Sequence, residues 1–158
     1  MKKIISIALV AMVSIFSAAG QNNRKQIYTE YCGTPGVNAV YISPAMFKLI
    51  KKVPDVTIKD KEVNFSSFIR TLEGMYILNV MDPEIASRLS RDVEKELKYG
   101  KHELLMEAVE GTSTTRIYIV GNNDIISDLV LLSKSPESTS YISISGQMPF
   151  EEVSKIIN

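Results

Sequence analysis

Residues 102–145, HELLMEAVEGTSTTRIYIVGNNDIISDLVLLSKSPESTSYISIS, decide the fold. Four runs, 102–109, 115–120, 125–133 and 138–145, read as strands and are separated by Gly111-Thr112-Ser113, Gly121-Asn122-Asn123 and Ser135-Pro136-Glu137. Turns this short join neighbouring antiparallel strands, so the segment predicts a four-strand meander. In the last run Ile142 and Ile144 alternate with Tyr141, Ser143 and Ser145. That period of two predicts the isoleucines beneath helices and the tyrosine and serines on an opposite, less covered face.

Upstream the pattern alternates between strand and helix. Residues 37–42 (VNAVYI) and 75–81 (MYILNVM) read as strands, followed by Ser43-Pro44 and Asp82-Pro83, each an N-cap with proline at the first helical position. The helices so opened cover 45–52, with Met46, Leu49 and Ile50 apolar, and 84–99, with Ile85, Leu89, Val93 and Leu97 stepping at i+4 before Gly100. On the outer face of the longer helix, Glu84 with Arg88 and Glu94 with Lys98 are spaced as solvated pairs. A charged connector over 55–62 leads to a helical face of Phe65, Phe68, Ile69 and Leu72 ending at Gly74, read as a C′ glycine. Pro149 opens a last helix whose Phe150, Val153, Ile156 and Ile157 dock on the core. The order predicts an α+β domain: a mostly antiparallel sheet with a four-strand C-terminal meander and helices packed on one face.

The chain is 158 residues long, enough for one domain with its own core. Met1-Lys2-Lys3 followed by the apolar run 4–16 and by Ser17, Ala18, Ala19 and Gly20 has the three parts of a secretion signal. Cleavage near Gly20 leaves a start near Gln21, and the apolar run is short for a membrane span. Gln21 stands where a lipoprotein needs cysteine, which argues against lipidation. The expected organisation is a signal peptide over 1–20, a flexible polar segment over 21–36 and a single α+β domain over 37–158, periplasmic or secreted. Cys32 is the only cysteine, so no intramolecular disulfide forms, and it reads as a small half-buried side chain. Lysine plus arginine and aspartate plus glutamate both total 18, and Lys2 and Lys3 belong to the leader. A slightly acidic mature domain does not call for nucleic acid.

No residue set specifies a reaction, so catalytic, cofactor-binding and metal residues are all read as none. His102 is the single histidine; with Glu103 and Glu107 beside it a metal site lacks ligands, and a solvated strand-end histidine is expected. There is no HExxH, CxxC or GxSxG, and Gly33-Thr34-Pro35-Gly36 leads into a strand rather than a helix. Glu94 and Glu96, and Glu151 and Glu152, diverge on their helices. The serines of 133–145 sit in turn and strand positions that favour serine. Tyr76, Tyr118 and Tyr141 could line an exposed sheet face on which a ligand ring stacks, but β-propensity alone enriches tyrosine in strands and ordinary sheet residues are the expected reading.

The leader, the start VYISPAMFKLI, the central FIRTLEGMYILNV and the ending YISISGQMPFEEVSKI together resemble an exported Bacteroidetes family known only as a domain of unknown function, numbered 4252. Gly146, before the last helix, is the most distinctive point of that likeness. The resemblance implies a secreted or periplasmic bacterial protein and brings no catalytic motif.

The leading expectation is a non-catalytic periplasmic module that binds a protein, peptide or envelope component through the uncovered sheet face or edge. The alternative is a hydrolase with a site assembled from scattered carboxylates and tyrosines, and a third is a bare assembly subunit. A deep pocket with three or more convergent polar groups favours the hydrolase, and a flat or shallow apolar sheet face favours the binding module.

Overall fold

The computed structural model describes residues 19–50 and 65–157, so the leader up to residue 18 and the connector over 55–62 lie outside the described residues. The elements are α1 (Ala19–Tyr31), β1 (Val37–Ile42), α2 (Pro44–Ile50), α3 (Phe65–Thr71), β2 (Leu72–Val80), α4 (Pro83–Tyr99), β3 (Glu103–Glu110), β4 (Ser113–Gly121), β5 (Ile125–Lys134), β6 (Thr139–Pro149) and α5 (Phe150–Ile157). The strands form one six-stranded antiparallel sheet in the order β1-β2-β6-β5-β4-β3. β3 to β6 are the meander read from the sequence, and the chain is α+β.

Strand register sorts the side chains into two faces. Ala39, Leu78, Tyr141 and Leu132 are paired across four strands, as are Tyr41, Tyr76, Ser143, Val130 and Tyr118 across five. This first face carries α1 and α4, whose Ile27, Tyr31, Ala86, Leu89, Val93 and Leu97 form one core cluster with Leu78, Val80, Val130, Leu132 and Tyr141. The second face presents Ile42, Met75, Ile144 and Leu129 to α2, α3 and α5, where Phe47, Phe68, Phe150 and Val153 pack. Helices therefore cover both faces rather than one. Each large aliphatic side chain withdrawn from water, such as Leu78 or Leu89, contributes roughly 1.5–3 kcal/mol.

Two-sided cover corrects the reading of β6. Tyr141 and Ser143 are both 1 % exposed, while Ile142 and Ile144 are only half-buried. β6 lies between β2 and β5 near the middle of the sheet, and the α1–α4 layer closes over the tyrosine and serine face.

The largest departure is at the N-terminal end. Residues 21–36, read as flexible, hold helix α1, because Arg24, Ile27, Tyr28 and Tyr31 share one face at i, i+3, i+4 and i+7 and all but the half-buried Tyr28 are buried. Lys25, Gln26, Thr29 and Glu30 face solvent. The Tyr31 hydroxyl donates to Asp92 of α4 at 2.5 Å, and the Arg88 guanidinium lies 5.3 Å above the Tyr31 ring. Tyr28 meets Tyr76 and Tyr41 of the sheet at ring separations of 5.2 and 6.2 Å. After α1 the chain turns through Gly33 and Gly36, at φ +87° and +81°, a backbone region that favours glycine. Cys32 sits half-buried in that turn as a free thiol.

Smaller differences have local causes. In α2 the buried residue is Phe47, and Met46 and Leu49 point outward. Gly74 is not a helix cap: α3 runs directly into β2, and Gly74 lies within that strand beside a break in register with β6. α4 is capped as expected, the Asp82 carboxylate accepting from the amides of Glu84 at 3.0 Å and Ile85 at 2.9 Å. Glu94, however, turns from Lys98 to the sheet, pairing with Lys134 at 2.5 Å and Arg116 at 3.6 Å.

Candidate functional site

α1 and the C-terminal half of α4 diverge over the β4–β5 end of the first face, leaving a cleft of about 630 Å³. α1 contributes Arg24, Ile27 and Glu30; α4 and the turn after it contribute Asp92, Glu96, Tyr99 and His102; Val120 and Asp128 come from the sheet. Ile27, Tyr99 and Val120 make the walls partly apolar, and the volume suits a small organic molecule.

Arg24 is the hub. Its guanidinium is buried and forms an ion pair with Asp128, itself largely withdrawn from solvent. Burial lowers the Arg24 pKa, and the neighbouring Tyr141, Glu96 and Tyr76 act against that lowering. Asp128 stands opposite Ser145 of β6, so the pair ties the N-terminal helix to the centre of the sheet.

Around this pair are polar groups whose capacity is unused. Burial pushes the Glu96 carboxyl above the usual range, with the charge of Arg24 opposing, and no hydrogen bond or ion pair reaches that carboxylate from the described residues. Burial, with Arg24 assisting, lowers the His102 imidazole, and its Nδ1 is buried without a partner. That imidazole packs on Gly100, where a Cβ would fall 2.4 Å from Nδ1. Gly100 closes α4 in extended backbone, at φ −80°, and its amide donates to the Glu96 carbonyl at 2.8 Å. Beneath lie Tyr141 Oη and Ser143 Oγ, both buried without a hydrogen-bond partner. Desolvation first, then the Glu96 charge, drives the Tyr141 hydroxyl far above its ordinary pKa, with the neighbouring Ser143 hydroxyl and the Arg24 charge acting the other way. A buried donor or acceptor left unmade costs about 1–3 kcal/mol, so such a group calls for an explanation.

Several sequence readings are relocated by this geometry. His102 is a half-buried cleft residue before β3, not a solvated strand end, while Glu107 pairs with Arg116 at 2.5 Å on the outer strands. Glu96 turns into the cleft while Glu94 faces the sheet, and Glu151 and Glu152 stand on α5 at the other face. Tyr76, Tyr118 and Tyr141 do share one face, but it is the covered one, and Tyr76 is stacked on Tyr41 at 4.8 Å. On the second face the cross-strand row Val40, Ile77, Ile142, Leu131 and Ile117 belongs to neither cluster. The residues sequence reasoning missed are Arg24 and Asp128, which lie 104 positions apart. Periodicity carries no signal for such a pair, although a lone arginine on the apolar side of α1 was visible.

Among the described residues no group of three or more His, Cys, Asp or Glu side chains is placed to hold a metal ion, and no helix is long and apolar enough to cross a membrane. No curated protein and no solved structure matches the chain. The model of the family described as a domain of unknown function, DUF4252, matches residues 28–156, which include every strand of the sheet, and the protein belongs to that family.

Proposed function

We propose that the protein is an exported module, periplasmic or secreted, that binds a small polar molecule in the cleft between α1 and α4. The observation that carries this reading is the convergence of Arg24, Asp128, Glu96 and His102 on one cleft, with unpartnered polar atoms on and beneath its wall. Buried polar groups left unsatisfied lower stability, and a ligand with complementary groups recovers that energy on binding. Export rests on the basic, apolar and small-residue order of the first twenty residues. Binding stands ahead of hydrolysis because the Asp128 carboxylate of the cleft is neutralised by Arg24, Asp92 is engaged by Tyr31, and Ser143 is not part of the cleft wall.

Thermal-shift screening of the exported protein against neutral, anionic and cationic small molecules tests the reading. The expected result is at least one compound that raises the melting temperature of the natural protein but not of Gln26→Trp, which places a bulky ring at an exposed position of the cleft wall. No stabilising compound of any class, or equal stabilisation of both proteins, contradicts it. N-terminal sequencing of the exported protein tests the compartment: a start near Gln21 is expected, and retention of Met1 goes against export.

A further inference from the structure

Resting on that binding reading, we infer that the cleft takes a small organic cation, its ammonium group seated on the Glu96 carboxylate and its apolar body against Ile27, Val120 and Tyr99. The inference starts from charge. Four carboxylates and three basic side chains line the cleft, and the Arg24–Asp128 pair cancels internally. Of the rest, Lys95, Lys101 and Glu30 are exposed, so solvent and salt screen them. Asp92 is engaged by Tyr31. Glu96 is left as a half-buried carboxylate with no hydrogen bond or ion pair from the described residues, although the Arg24 charge acts on it.

The atoms around Glu96 extend the argument. Tyr141 is 1 % exposed and its hydroxyl has no partner, yet it lies close enough to Glu96 and Arg24 for their charges to act on it. His102 Nδ1 is likewise buried without a partner, packed against Gly100. An ammonium brings three donors and a positive charge, which suits the Glu96 carboxylate better than any anion does. Tyr99, exposed at the mouth, offers a ring face to the same cation on entry.

Isothermal titration of the mature protein with methylammonium, 1,5-diaminopentane, glucosamine and phenethylammonium tests the inference, with 2-phenylethanol and phenylacetate as neutral and anionic counterparts. At least one ammonium compound is expected to bind, and phenethylammonium to bind about tenfold or more tightly than 2-phenylethanol. Glu96→Gln should weaken that binding by about tenfold or more, whereas Glu151→Gln, the same charge change on α5, should alter it less than about twofold. Because Glu96→Gln removes a charge that burial disfavours, the variant should melt at or above the natural temperature, so lost binding is not lost folding. Preference for the alcohol or the acid, or binding unchanged in Glu96→Gln, overturns the cation inference and leaves the binding reading standing. Failure of all four ammonium compounds while a neutral or anionic compound stabilises the protein does the same. Failure of every class of compound overturns both.

Discussion

At the residue scale, Glu96 and His102 set opposite trends of stability with pH. The folded His102 pKa is depressed by burial and by Arg24, so below about pH 6.5, its ordinary value, the unfolded chain takes up a proton that the folded one resists. Stability from His102 is therefore present above that pH and lost as pH falls toward the folded pKa. Glu96 is raised, so from pH 4.5 upward the folded state holds a proton the unfolded state has released, and stability from Glu96 is lost as pH rises through its folded pKa. Urea denaturation across pH 4.5–7 checks the signs. Glu96→Gln should steepen the gain in stability with rising pH, and His102→Gln should reduce or reverse it; the opposite pattern refutes the assignment. Gly146 makes a second test. A Cβ there would lie 2.4 Å from the Thr71 carbonyl oxygen, so Gly146→Ala should cost about 3 kcal/mol or more. Gly111, at φ +59° in open space, should cost only about 1 kcal/mol on the same change. The distinctive sequence position is thus one where strand β6 crosses the α3–β2 junction with no room for a side chain.

At the element scale, α1 decides how the first face is read. Its polar outer residues hide an inward face of Arg24, Ile27, Tyr28 and Tyr31, and composition alone reads such a segment as a tail. Ile27→Ala should lower stability by roughly 2–4 kcal/mol in chemical denaturation if α1 is part of the core, and by under about 0.5 kcal/mol if it is a loose leader remnant. Strands were more legible, because alternation fixes the face and turn residues fix the ends: β3 to β6 match their sequence boundaries closely except for the C-terminal extension of β6. β5 also held a clue to two-sided cover, since Leu129 and Leu131 are apolar on one parity and Val130 and Leu132 on the other. Reading β6 alone, where serines occupy one parity, hid this. Ser143→Ala now carries a different expectation from that of a wet-face serine: removing a buried, unpartnered hydroxyl should leave stability unchanged or slightly raised. A loss above about 1 kcal/mol would show that the hydroxyl has a partner after all.

At the scale of the whole molecule, the sheet acts as a partition. The second face is closed by three short helices around Phe47, Phe68, Phe150 and Val153, while the first is roofed by the longer α1 and α4 with a cleft where they part. The cleft was not legible in the sequence because its members come from the N-terminal helix, the end of α4, the turn after it and β5. Only tertiary packing brings those together. What could be read was the absence of every compact motif, and the site that does form is of the kind that leaves none. The most direct measurement of the central claim is a backbone-amide NMR titration with a compound that stabilises the protein. Shifts should concentrate at Arg24, Ile27, Glu96, His102, Val120 and Asp128, with the α5 amides unmoved. Shifts centred instead on Val40, Ile77 and Ile142 would place binding on the row of the second face that belongs to neither core cluster and contradict the account.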